Sequence, residues 1–191
     1  MPVEVELKAH VRDRNRVLRV LDQLATAETA TYQDTYYDTP EGALARAGKE
    51  FRARTIHVGD QQTLLLTFKE PKLDSSGQPE HEVVVAADPN QLSAILTGLG
   101  YVPVIAFTKL CTNYRLTRNS SSILATVVQL PEIGDKTYIE VECVLSAAEE
   151  PHIASTAETL HSFMIDVLGL DEATFTDDTY TGAVRKHRDQ Q

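Results

Sequence analysis

The chain has 191 residues, 42% of them apolar, and a formal net charge of −10, which suits one domain with a sizeable buried core. Its acidity excludes nucleic acid as a bulk partner, because phosphate backbones are bound by a basic footprint. No run approaches the ~18 consecutive apolar residues of a membrane-spanning helix. The first residues alternate charged and apolar without the layout of a signal peptide, so the expectation is a cytoplasmic protein with no membrane partner.

Residues 3–11 alternate strictly, with Glu4, Glu6, Lys8 and His10 on one side and Val3, Val5, Leu7, Ala9 and Val11 on the other; a period of two predicts a strand. Asp13 is placed to cap a helix running to about Leu24, with Val17, Leu18, Leu21 and Leu24 on one face. Strands are predicted at 32–38, 50–58, 62–70 and 80–86, the last two joined by a turn-rich loop over 72–79. Asp88-Pro89 opens a helix with Leu92, Ile95, Leu96 and Leu99 as its stripe, ended by Gly98 and Gly100. Further strands are predicted near 106–117, 123–129 and 136–145. A helix follows over about 151–168, closed by Gly169, and a short last helix over 178–187. No linker-like stretch interrupts the chain, so 1–191 reads as a single domain. Cys111 and Cys143 stand far apart with no metal-type spacing and are expected as free thiols.

Charge recurs at i, i+2 on strand after strand: Glu4/Glu6/Lys8, Arg52/Arg54, Glu80/Glu82 and Glu140/Glu142, with Lys69 ending one strand and Lys109 opening another. On any single strand this is an ordinary wet face. Repeated on most strands, with apolar opposite faces and helices to cover them, it fits a closed barrel with the charges inside. Such a lumen is stable only if opposite signs pair or a bound ion and ligand neutralise them. Guanidinium forks and ammonium groups suit a triphosphate, whereas carboxylate pairs, Glu80 and Glu82 included, suit Mg2+ or Mn2+.

In that order the residues resemble a family. Glu4-Val5-Glu6-Leu7-Lys8 resembles the ExExK signature of the CYTH superfamily, which holds the class IV adenylyl cyclases and thiamine triphosphatases and is known for its triphosphate tunnel. Asp34-Thr35-Tyr36-Tyr37-Asp38 resembles its D-x-Y-Y-D segment, and Phe51-Arg52-Ala53-Arg54 its L-R-x-R strand. Leu66-Thr67-Phe68-Lys69-Glu70-Pro71 is similar to the L-T-Y-K-G-P strand of the class IV cyclase branch. Glu80-x-Glu82, Leu99-Gly100-Tyr101-x-Pro103-Val104, Glu140-Val141-Glu142 and Thr179-Tyr180 match later motifs in sequence order.

The resemblance implies an α+β fold, an eight-stranded antiparallel β-barrel forming a triphosphate tunnel with helices packed outside. It implies Mg2+ or Mn2+ on Glu4, Glu6 and Glu142, with Glu140 near a second ion, and phosphates on Lys8, Arg52, Arg54, Lys69 and Lys109. Glu4, Glu6 and Lys8 are the candidate catalytic residues, and a homodimer is a common arrangement among the cyclases.

The expected reaction is conversion of ATP to cyclic AMP and pyrophosphate. The alternatives are an inorganic or thiamine triphosphatase, and a degenerate tunnel that binds triphosphate or polyphosphate without turnover. Two departures bear on the choice. Lys109-Leu110-Cys111 carries a cysteine where the family has K-x-R, and Thr126-Val127-Val128 stands where it has D-x-V. The loop over 130–135 is also longer than usual. Arg115 shares strand parity with Lys109, about 20 Å further along at ~3.3 Å per residue, and is expected to bind substrate at one mouth of the tunnel.

Overall fold

A computed structural model describes residues 2–73, 77–118 and 121–191. Eight antiparallel strands close into a barrel in the order β1-β5-β4-β3-β2-β6-β7-β8. They are β1 (Val3–Val11), β2 (Glu28–Asp38), β3 (Glu50–Val58), β4 (Gln61–Lys69), β5 (Gly77–Val84), β6 (Val102–Arg118), β7 (Ser121–Gln129) and β8 (Thr137–Leu145). Each strand of the sequence reading is present within a few residues at its ends. Part of the 72–79 loop, residues 74–76, lies outside the described residues. The β3–β4 hairpin turns on Gly59-Asp60, with Val58 facing Gln61. Gly59 has φ 56°, the left-handed backbone that so tight a turn requires and that glycine adopts at least cost.

The odd-numbered apolar face of β1 points outward into the main core. There Val3, Val5, Ala9 and Val11 meet Tyr114, Ile123, Ala125, Val127, Ile139 and Val141. Two helices cover this face: α1 (Arg14–Asp22), which buries Val17 and Leu21, and α4 (Ile153–Ser162). Asp13 caps α1 by accepting the Arg16 N–H at 2.9 Å. The expected continuous helix over 151–168 is three pieces. A 3-10 stretch (Ala147–His152) contains Pro151, α4 follows, and a π turn (Phe163–Val167) ends it. Leu160, Met164 and Leu168 on this arm are fully buried, each worth roughly 1.5–3 kcal/mol of apolar burial. A second outer cluster lies under α3 (Pro89–Gly98), where Leu92 and Leu96 pack on Tyr37 and Leu64. Asp38 caps the one-turn helix α2 (Ala43–Arg46) by accepting the N–H groups of Leu44 and Ala45.

The last helix, α5 (Tyr180–Arg188), departs from the expectation that helices lie outside the barrel. Its Tyr180 and Val184 pack against Ile105, Phe107, Cys111, Val128, Leu130 and Tyr138. Several of these continue the parity of Lys109 and Glu140, so α5 reaches into the end of the barrel. Arg188 anchors it, donating to both carboxylate oxygens of Glu132, at 2.5 and 2.9 Å, and to the Ala106 carbonyl at 2.8 Å. Glu132 belongs to the long 130–135 loop, which therefore serves as the seat of α5.

Closure is uneven. β1 pairs with β8 along its whole length but with β5 only from Val3 to Val5. Beyond that point the free edge of β1 is met by the chain before α5: Ala9 bridges Phe175, and the Thr176 N–H donates to the Lys8 carbonyl at 3.0 Å. Phe175, Thr176 and Asp177 thereby join the wall of the lumen.

Candidate functional site

Strand pairing fixes which lumen side chains meet, because residues that face each other across a ladder share a side of the sheet. Asp34 faces Arg54, Lys8 faces Glu140, and Lys69 faces both Glu50 and Glu80. All of these pairs are opposite in sign. Glu6 faces Glu142, a like-charged pair.

The cations gather around one buried carboxylate. Asp34 accepts from Arg54 Nε at 2.6 Å and from Arg54 Nη2 at 2.8 Å, with Arg52 and Lys109 each 3.9 Å away. Burial would raise its pKa, but Arg54 and Arg52 hold it well below the usual carboxylate range. Arg52 Nη2 reaches Thr67 at 3.4 Å, Thr67 donates to Glu82 at 2.8 Å, and Arg52 Nε is buried with no hydrogen-bond partner among the described residues. Lys69 pairs with Glu4 and with Glu80, the latter at 2.7 Å. Lys8 lies 3.5 Å from Glu6 and 3.4 Å from Glu140. Burial alone would lower the pKa values of Lys8 and Lys69. The carboxylates beside them raise both, so both ammonium groups stay charged.

Beside Lys8 and Lys69, carboxylate oxygens of Glu4, Glu6 and Glu142 lie within 4.8 Å of one another. Burial, reinforced by Glu4, Glu6 and Glu140, pushes Glu142 well above its ordinary pKa. Burial and Glu140 likewise raise Glu6. Three converging carboxyls that repel one another fit a divalent cation, which would reverse the sign of that cost. Glu140 differs: despite burial, Lys109 and Lys8 pull it down to about 2. It is a counter-ion in the cationic arc rather than a fourth member of the cluster. Glu80 and Glu82, expected as metal candidates, sit instead on Lys69 and on Thr67 and Arg52.

Aromatic rings lie against the lumen cations, Tyr36 among them with Arg52 5.9 Å from its centroid. Tyr180 lies between Lys8 and Lys109, whose nitrogens are 4.6 and 4.7 Å from its centroid. Tyr32 carries Arg54 and Lys109 at 4.7 and 5.7 Å. The cavity so enclosed measures about 360 Å3 and includes Glu4, Glu6, Lys8, Arg52, Arg54, Lys69, Lys109, Glu140 and Glu142 in its wall. That is the small end of the roughly 300–1,000 Å3 of ligand pockets. Nine of the predicted positions therefore meet in one chamber. Arg115 does not join them: it is exposed, in a separate recess with residues 24–29, Val58, Gly59 and Asn113. Asp34, Tyr32 and Tyr180 were not assigned roles from sequence, although the even parity of β2 places Tyr32, Asp34 and Tyr36 on the face that meets Arg54 and Lys109.

A closed antiparallel barrel whose lumen is divided between clustered cations and clustered carboxyls defines the triphosphate-tunnel class. The sequence pattern of the CYTH domain matches residues 2–180, and the chain belongs to the CYTH family. A curated relative, adenylate cyclase CyaB of Aeromonas hydrophila, is 33% identical over 109 residues, 56% of this chain and 53% of the relative. The match thus spans about half the length of that relative. Among solved structures, the PH1819 protein of Pyrococcus horikoshii superposes with a TM-score of 0.79 at 21% identity, covering 96% of this chain and 98% of its own. HpAC1 from Hippeastrum, described as having a dominant triphosphatase activity, superposes with a TM-score of 0.66 at 16% identity, covering 97% and 96%. Among the described residues, no helix is long and apolar enough to cross a membrane.

Proposed function

We propose that the chain is a divalent-metal-dependent enzyme acting on a nucleoside triphosphate, with conversion of ATP to cyclic AMP and pyrophosphate as its leading reaction. The observation that carries this reading is the division of one chamber between a cationic arc around Asp34 and a carboxylate arc of Glu4, Glu6 and Glu142. Lys69 and Lys8 partly offset Glu4 and Glu6, but among the described residues Glu142 makes no ion pair. A metal–triphosphate complex would supply positive charge to the carboxylates and negative charge to Arg52, Arg54 and Lys109 at once. The relative named adenylate cyclase and the Leu66-to-Pro71 strand favour cyclisation over other triphosphate chemistry.

Mg2+ or Mn2+ held by Glu4, Glu6 and Glu142 would supply Lewis-acid polarisation of phosphoryl oxygens. The chain's own residues do the rest. Arg52 and Arg54 present planar forks to non-bridging oxygens, and Asp34 fixes the Arg54 fork so that little side-chain entropy is lost on binding. Lys8 and Lys69, held protonated, act as fixed positive charge and donors rather than as bases. They stabilise charge that grows on the departing pyrophosphate.

Hydrolysis to release phosphate is the second reading, favoured by the uncharged Cys111 and Thr126 on lumen-facing positions. Burial drives the Cys111 thiol up to about 11, so it stays neutral. Incubation with ATP, tripolyphosphate and thiamine triphosphate under Mg2+ and Mn2+ separates the readings. Cyclic AMP with pyrophosphate supports the first, and phosphate release the second. Thermal stabilisation without product would leave a binding protein and overturn both. Glu4→Ala with Glu6→Ala should abolish turnover; unchanged rates would remove the metal assignment.

A further inference from the structure

α5 brings a phenol to the wall of the chamber. Thr179 caps the helix by accepting the Gly182 N–H at 3.0 Å, and Tyr180 follows as its first residue, buried at 6% exposure. The ring stands edge-on to Tyr138, with centroids 5.2 Å apart, and carries Lys8 and Lys109. This packing fixes the hydroxyl at its tip. The hydroxyl lies beside Glu140, yet it makes no hydrogen bond of normal geometry among the described residues.

Glu140 is the point at which substrate would force a rearrangement. It is buried, and its counter-ions are Lys8 at 3.4 Å and Lys109 at 3.9 Å. Both ammonium groups line the chamber, so a triphosphate seated there draws them away from Glu140. The carboxylate would then stand ionised and desolvated beside a polyanion, which is costly unless another donor replaces the lysines. Its other neighbours are committed. Arg54 makes two hydrogen bonds to Asp34, and Thr126, across the ladder from Glu140, gives its proton to Asn113. The Tyr180 proton is uncommitted. Burial and Glu140 push the phenol well above its ordinary pKa, so that proton stays in place.

We propose that Tyr180 is a positioning residue that takes over Glu140 when Lys8 and Lys109 turn to the phosphates. Its hydroxyl then donates to the Glu140 carboxylate and holds that negative charge back from the substrate. The two groups already adjoin, so a small adjustment of the carboxylate completes the bond. Tyr180 acts through Glu140 and need not touch the substrate itself. This inference rests on the triphosphate reading and goes beyond it in giving α5 a part in binding.

The test is a double-mutant cycle on the full chain, read by calorimetric binding in Mg2+ of bis-methylene triphosphonate, a tripolyphosphate analogue that resists hydrolysis. Tyr180→Phe keeps the ring between the lysines and should weaken binding by about tenfold, the lower end for a hydrogen bond to a charged group. Without ligand its melting temperature should stay within about 2 °C of the unaltered protein, because the hydroxyl is not yet bonded. Glu140→Gln should bind at least as tightly as the unaltered protein, since the charge to be restrained is gone. Adding Tyr180→Phe to Glu140→Gln should then cost less than about twofold. Undiminished affinity in Tyr180→Phe would overturn the proposal, as would a larger fall in its ligand-free melting temperature. An equal tenfold loss in the Glu140→Gln background would put the hydroxyl on the substrate instead, and weaker binding in Glu140→Gln alone would mean that the ligand or its metal needs Glu140; each overturns the proposal. All four results leave the triphosphate reading intact. Failure of the unaltered protein to bind the analogue would remove that reading and this inference with it.

Discussion

Glu6 and Glu142 face each other directly in the ladder between β1 and β8, and Glu4 brings a third carboxylate to the same spot. Their raised pKa values set a sign. Below the ordinary glutamate value of about 4.3 both the folded and unfolded chains are protonated. As pH rises towards the elevated folded values, the unfolded chain releases protons that the folded chain keeps. The metal-free protein should therefore lose stability over that window. Scanning calorimetry across pH, with and without Mn2+, checks this, and Mn2+ should reverse the trend. Glu142→Gln should raise the metal-free Tm, by about 2–4 °C for each kcal/mol of repulsion relieved, and abolish the Mn2+ response. A lower Tm in that variant would contradict the reading.

Asp34 works in the opposite direction. Its folded pKa is depressed, so its contribution is complete above the ordinary aspartate value and is lost only as pH falls through the folded one. Asp34→Asn leaves Arg54 without its ionic partner and strips the same charge from Arg52 and Lys109. The expected cost is about 3–5 kcal/mol at neutral pH. Tripolyphosphate should stabilise this variant more than the unaltered protein, since it restores the missing negative charge. Equal Tm gains in the two proteins would count against Asp34 as the organiser of the cationic arc.

The buried Tyr180 hydroxyl lies beside Glu140 but makes no hydrogen bond of normal geometry among the described residues, while its ring fills the space between Lys8 and Lys109. Tyr180→Phe should change stability by less than about 1 kcal/mol, whereas Tyr180→Ala should cost about 3–5 kcal/mol through the cavity it leaves. Denaturant titration of both variants is the measurement. A large loss in the phenylalanine variant would show that the hydroxyl is engaged.

From the sequence Arg54 was a substrate candidate by its place in a family motif and Arg115 by strand parity alone, and the two lie in separate recesses. Arg54→Ala should lower triphosphate affinity by about 100-fold, the effect of truncating one partner of a buried charge pair. Arg115→Ala should leave it within about twofold, at the resolution of ordinary surface substitutions. Comparable losses in both would mean that the two recesses communicate.

Much of the barrel was legible in the chain because strand chemistry is periodic. Alternation over 3–11 fixed both the strand and its faces, and the same parity named the lumen residues on β1, β3, β5 and β8. Helix ends were legible where a cap is local, as at Asp13 and Asp88. The division of 147–168 into 3-10, α and π turns was not, since an apolar stripe reads alike through all three. Asp34 stood inside a recognised motif, yet its role depends on Arg52, Arg54 and Lys109 arriving from other strands.

Alone, the sequence determined which side chains share a face, because that is set by the two-residue repeat of an extended chain. It thereby determined that acids and bases would converge if the sheet closed. Only the tertiary structure decided who meets whom: the register of β1 against β8 placed Glu6 on Glu142, and α5 brought Tyr180 between Lys8 and Lys109. Those outcomes depend on the stagger of eight strands around a ring, a property of closure that no local segment encodes.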